Sequence, residues 1–166
     1  MFSSPRLTLN SPFPSPDLGG ISGEGDAVQN AAAPLRTMVF IDGSWLYYSF
    51  HGRRPNCPVT AAYGRGWEYS NSIDFDRLPQ LISQYVHAEL FRRFHTQRFV
   101  EVVKTVVFTS AREGTHREST RMRMFRQMQM SNYEVHMSTT TGYHEKCIDI
   151  SLAVEMLHYA TVPGAY

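Results

Sequence analysis

Apolar residues along the chain fall into short blocks of two periods, and the two kinds of block alternate. The first block, Thr37-Met-Val-Phe-Ile-Asp42, is an unbroken apolar run closed by an acid. Continuous hydrophobicity over so few residues predicts a strand covered on both faces, as in a parallel sheet. Ser44 is placed to cap a short helix through Trp45, Leu46, Tyr47 and Phe50. Pro55, Pro58, Gly64 and Gly66 then interrupt any period, which predicts a long loop over residues 51–72. Leu78, Leu81, Ile82, Tyr85, Val86 and Phe91 include the three-to-four spacing of one buried helix face. They predict a helix over residues 77–94, with Asp74 or Asp76 as its cap and Pro79 tolerated in its first turn.

The alternation continues to the end of the chain. Residues 102–110, centred on Thr105-Val-Val-Phe108, predict a second strand, and residues 119–130 a helix. Tyr133-Glu-Val-His-Met-Ser138 predicts a third strand, followed by a loop over residues 139–142. A last helix over residues 147–160 would bury Ile148, Leu152, Met156 and Leu157, and Pro163-Gly164 would end it. Strands alternating with helices imply an α/β fold with a parallel, doubly wound, Rossmann-like sheet and right-handed crossovers. No internal repeat interrupts the scheme.

Composition separates the first 36 residues from the rest. Segments such as Ser11-Pro-Phe-Pro-Ser-Pro16 and Gly19-Gly-Ile-Ser-Gly23 carry no apolar period and cannot offset the entropy of ordering, so residues 1–36 are expected to be a disordered tail. The alternative is an organelle-targeting segment: the first 16 residues contain Arg6 and four serines and no acid, although Asp17, Glu24 and Asp26 follow closely. Residues 37–166 form the folded unit. No apolar run approaches the roughly 20 residues of a membrane span. Cys57 and Cys147 form no CxxC pair, which favours a reducing intracellular compartment, the cytoplasm first, over a disulfide scaffold.

In a sheet of this kind, sites lie outside the carboxyl ends of the strands. Asp42 ends a hydrophobic strand there, where a carboxylate is costly unless it binds a cation, accepts hydrogen bonds or caps a helix. Asp149 falls in the first turn of the last helix, where the helix dipole alone favours an acid. Glu155 lies nearly two turns further along.

Two stretches carry a resemblance. Val39-Phe-Ile-Asp-Gly-Ser44 resembles the opening of NYN domains, including the LabA-like group, and Lys146-Cys-Ile-Asp149 with the helix that follows resembles their K-x-x-D helix. The likeness spans about 130 residues and implies a PIN-like nuclease fold. It also implies Asp42 and Asp149 as catalytic metal ligands, Mg²⁺ or Mn²⁺ as the cation, and hydrolysis of RNA phosphodiesters as the reaction. Two departures stand out. Trp45 replaces the Asn that many relatives carry three residues after the first Asp, leaving Ser44 as the substitute polar group. The strand and acidic turn with which the family continues have no counterpart before Tyr166. The chain is therefore expected to be the front portion of such a domain, lacking its C-terminal strand or strands and inactive alone. The competing class is a non-catalytic module that binds RNA or protein, and homo-oligomerisation stays open.

Charge distribution bears on the RNA. Net charge is only +1, but 14 of the 16 basic residues are Arg, the type that pairs bidentately with phosphate. Arg121, Arg123 and Arg126 fall on one predicted helix and Lys146 near the start of the next, all candidate phosphate contacts. The alternatives are a solvated helix face for the arginines and an ion pair with Asp149 for Lys146. Trp45, Tyr47, Tyr48 and Trp67 are candidate base-stacking residues, with core packing or loop anchoring as the plainer use of each. His136, His144 and Cys147 match no compact zinc-finger spacing.

Overall fold

A computed structural model describes residues 33–52, 57–95, 97–141 and 148–162. The expected tail lies almost wholly outside the described residues, as do Lys146, His144 and Cys147. Three strands, β1 (Leu35–Asp42), β2 (Val100–Arg112) and β3 (Glu134–Thr140), form one sheet in the order β1-β2-β3. Both pairings are parallel, so the α/β class and the parallel sheet flanked by helices stand as expected. The strands run longer than the apolar runs, because main-chain pairing continues from Leu35 opposite Val100 to Arg112 opposite Thr140.

The helices are α1 (Gly43–His51), α2 (Pro58–Tyr63), α3 (Leu78–Phe94), α4 (Thr120–Met130) and α5 (Ile148–Thr161). Three boundaries differ from the sequence reading. The cap of α1 is Asp42, two residues before Ser44: its side chain accepts hydrogen bonds from the main-chain N–H groups of Ser44 and Trp45. The expected loop over residues 51–72 contains α2 and a 3₁₀ turn at Trp67–Tyr69. Six residues are too few to show a period, and Pro58 supplies a preset first turn. Neither Asp74 nor Asp76 caps α3; a 3₁₀ turn at Phe75–Arg77 leads into it, with no side-chain cap bond.

Strand alternation divides the core between two faces. Val107 and the half-buried Ile41 meet Leu46 of α1, Met124, Phe125 and Met128 of α4, and Phe75 and Tyr133. Tyr133 donates its hydroxyl to Phe75 O at 2.8 Å, and burial holds the phenol well above its ordinary pKa. Val106 and Phe108 point the other way and, with Met38 and Phe40, meet Ile148 and Leu152 of α5. Of the four α5 residues expected inside, Ile148 is buried and Leu152 half-buried, while Met156 and Leu157 are 46% and 62% exposed. One row of side chains makes the contact. A polar tie supplements it: Lys104 Nζ lies 2.6 Å from Glu134 Oε2 and donates to the Tyr159 hydroxyl at 2.9 Å, joining β2, β3 and α5. Among the described residues no helix is long and apolar enough to cross a membrane. Cys57 is buried as a free thiol, its Sγ 2.8 Å from Ser49 O.

Gly43 is where α1 comes closest to the sheet. A Cβ there would stand 2.8 Å from Thr109 Cβ and 2.9 Å from both Val107 Cγ1 and Phe125 Cε1. These neighbours are themselves buried and close-packed, so α1 must lift. Gly43→Ala is expected to destabilise the fold by about 1–3 kcal/mol, the usual cost of overpacking. Urea denaturation checks it: an unchanged midpoint would mean that α1 moves without penalty.

Candidate functional site

The site is built at the junction of β1 and α1. Asp42 Oδ1 accepts from Ser44 N at 2.9 Å and Trp45 N at 3.0 Å, satisfying two donors that a helix N-terminus otherwise leaves open. Oδ2 carries no hydrogen bond among the described residues. The cap turns the chain sharply, which brings Ser44 down to 6% exposure and leaves the Trp45 ring 66% exposed at the edge.

Ser44 meets an arginine from the far helix. Arg121 Nη2 donates to Ser44 Oγ at 2.7 Å and to Thr109 Oγ1 at 3.2 Å. Its guanidinium lies 5.4, 5.7 and 5.9 Å from the ring centres of Tyr47, Tyr48 and Phe125. A planar cation suits both hydroxyl bonding and ring faces, a combination that an ammonium matches poorly. α4 carries it there because Ser119 caps that helix through Met122 N and because Met124, Phe125 and Met128 pin its inner face.

The second carboxylate comes from α5. Asp42 pairs in register with Phe108, and Phe108 packs on Ile148, the residue before Asp149. Asp42 and Asp149 therefore share the C-terminal edge of the sheet, with Asp149 exposed in the first turn of α5. A groove of about 450 Å³ opens at the same edge between β2, β3 and α5. Ser138, Ser151 and the half-buried Glu155 line it. Among the described residues no three His, Cys, Asp or Glu side chains converge as a metal-holding group. The carboxylates at this edge, Asp42 Oδ2 and Asp149, are oxygen donors of the kind a hard cation such as Mg²⁺ or Mn²⁺ prefers.

The three arginines of α4 do not share a face. Arg121 turns to Ser44 and Thr109, Arg126 pairs with Glu118 at 3.3 Å, and Arg123 lines a separate cavity beside His51 and Trp67. Trp67 is buried, its indole N–H donating to Phe50 O at 3.0 Å, an anchoring role. His136 stacks on Phe108 with 4.8 Å between ring centres, and its Nε2 lies 2.8 Å from Glu134 Oε1. Thr109 and Tyr48, both partners of Arg121, carry no signal in the sequence that singles them out for this. Thr109 is merely one of several polar steps along β2 until Arg121 reaches it from twelve residues away. Comparison of the chain with protein-family models, with curated proteins and with solved structures gives no match in any of the three.

Asp42→Ala removes the cap and is expected to lower stability by about 0.5–2 kcal/mol, whereas Asp42→Asn keeps the acceptor and should change it little. Thermal midpoints of the two variants check this; equal losses would show that charge matters at this position more than the hydrogen bonds do. His51 gives a second test. Burial lowers its pKa from 6.5, against the attraction of Glu68. The unfolded chain then takes up this proton first, so stability falls as pH drops below about 6.5 and is fully present above it. His51→Phe should flatten that part of the urea-midpoint profile between pH 7.5 and 5.5, and an unaltered slope would place the acid sensitivity elsewhere.

Proposed function

We propose that the chain contributes the Asp42 edge of a metal-dependent ribonuclease site of the NYN class, on a PIN-like fold. The observation that supports this reading is that Asp42 at the end of β1 and Asp149 in the first turn of α5 both stand at that edge, with the Arg121 guanidinium reaching the same β1–α1 junction from the other face of the sheet. Asp42 Oδ2 and Asp149 would hold Mg²⁺ or Mn²⁺, which when bound activates water and stabilises charge on the displaced oxygen.

The remaining work falls to the chain itself. Ser44 and Thr109 fix the plane of Arg121 before any phosphate arrives, and the rings of Tyr47, Tyr48 and Phe125 hold it from the sides. A cation already ordered loses little entropy on meeting a phosphate oxygen. Trp45 stands exposed one helical step from Asp42, in position to stack a base of single-stranded RNA. A second reading, a module that binds RNA or protein without cleaving, is favoured by one specific observation: Oδ1 of Asp42 already serves the helix cap.

Mn²⁺-dependent cleavage of single-stranded RNA tests the choice. In a protein that contains this chain within a complete, RNA-cleaving domain, Asp42→Asn and Asp149→Asn should each bring cleavage to background while the thermal midpoint moves by only a few degrees, about the shift that a few tenths of a kcal/mol produces. Arg121→Gln should weaken RNA binding for all sequences alike and reduce the salt slope by about one unit. Cleavage that survives Asp42→Asn overturns the catalytic assignment. RNA binding without any cleavage selects the second reading.

A further inference from the structure

The far end of α1 carries a different kind of site. His51, its last residue, stacks on Tyr47 with 4.9 Å between ring centres and leans on Trp67 at 5.2 Å. Beside these rings, between α4 and the segment over residues 67–73, lies a cavity of about 160 Å³. That is far beyond the ~30 Å³ share of one water and close to the ~150 Å³ that admits a benzene-sized ring. Its lining is mixed, with polar groups set among apolar ones where an empty core void would be wholly apolar. Glu68, Asn71, Arg123 and Gln127 bring a carboxylate, two amides and a guanidinium to one small space, with Trp67 and His51 as aromatic walls. Arg121 and Arg126 have their bonding partners within the chain, whereas the exposed guanidinium of Arg123 has no bonding partner among the described residues.

We infer that this cavity is a base-recognition subsite that takes one guanine of a single-stranded RNA. The inference rests on the reading of the Asp42 edge as the place where the phosphates lie. A ring-sized slot with aromatic walls and mixed donors and acceptors suits an unstacked base read along its edges. Guanine fits the charges. Its O6 and N7 accept from an arginine, as Arg123 supplies. Its N1–H and exocyclic amine donate to a carboxylate, as Glu68 supplies. Adenine presents a donor where O6 stands and an unprotonated N1 where the carboxylate waits, so both partners would be left facing the wrong group. Burial keeps His51 uncharged near neutral pH, so that wall adds stacking surface without a competing cation.

The path between the two sites is short. α1 runs nine residues from the Asp42 cap to His51, roughly 13 Å at 1.5 Å per residue. α4 serves both ends: Arg121 and Arg123 stand two positions apart, about 200° around the helix, so one reaches Ser44 and the other the cavity. An RNA strand held at Arg121 reaches the cavity within a few nucleotides by crossing the start of α4.

The chain holds two tryptophans, so Trp45→Phe leaves Trp67 as the only indole and a reporter in the cavity wall. Titration of that protein with the 5′-monophosphates of guanosine, adenosine, cytidine and uridine should give saturable quenching. The guanosine form should bind at least about five-fold more tightly than the others. Arg123→Gln and Glu68→Gln, each on exposed or half-exposed positions, should abolish the preference without moving the thermal midpoint. Equal response to all four nucleotides, no saturable response, or a preference that survives both variants would overturn the inference. Adding Asp42→Asn separates it from the ribonuclease reading. Guanine preference retained while cleavage survives Asp42→Asn keeps the subsite and removes the catalytic assignment, whereas cleavage lost on Asp42→Asn with no guanine preference before or after does the opposite.

Discussion

Two hydrogen bonds to one carboxylate oxygen set the geometry of this molecule. Asp42 Oδ1 holds the N–H groups of Ser44 and Trp45, and so fixes where β1 stops and in which direction α1 leaves. Ser44 then faces the sheet beside Thr109, Gly43 lies flat against Val107 and Phe125, and Trp45 swings outward. The far end of α1 follows rigidly, which delivers His51 to the wall of its cavity. A cap is ordinarily a local matter of about 1 kcal/mol. Here it also decides which side chains meet at the edge of the sheet.

Arg121 couples that junction to the opposite helix. It bridges Ser44 of α1 and Thr109 of β2 from a position on α4, and three aromatic rings close around it. A half-buried cation gains from its hydroxyl partners, because a partly desolvated guanidinium without acceptors is costly. The packing of α4 through Met124, Phe125 and Met128 keeps the guanidinium in reach, and the guanidinium in turn keeps α1 close to the sheet. The other face works differently. α5 is held by one apolar row at Ile148 and Leu152 and by the Lys104, Glu134 and Tyr159 tie. The bond to Glu134 raises Lys104 above its ordinary pKa, and the bond to Lys104 lowers Glu134, so both stay charged near neutrality.

Side-chain alternation on the strands explains why the two faces do different things. Odd positions of β2 around Val107 and Thr109 face α1 and α4, and even positions around Val106 and Phe108 face α5. The arginine network belongs to the first face and the groove with Glu155 to the second. Asp42 is the residue where they meet, because a strand end with one oxygen in a helix cap leaves the other toward the edge.

The amino-acid sequence by itself determined the alternation of strands and helices, the parallel sheet and the place of Asp42 and Asp149 at its C-terminal edge. Those features follow from hydrophobic periods and chain order, which are local and additive along the chain. It did not determine that Asp42, and not Ser44, caps α1, because either residue satisfies the preference for a short polar side chain and only the packing of Gly43 against Val107 selects between them. Nor did it separate Arg121, Arg123 and Arg126. As letters on one helix they form a basic run, yet helix rotation sends one into a ring of aromatics, one to a cavity and one to an ion pair with Glu118. The cavity itself joins residues 51, 68, 71, 123 and 127, which no sequence window brings together. Contacts of that range are set by how helices pack on a sheet, and only the folded chain contains that information.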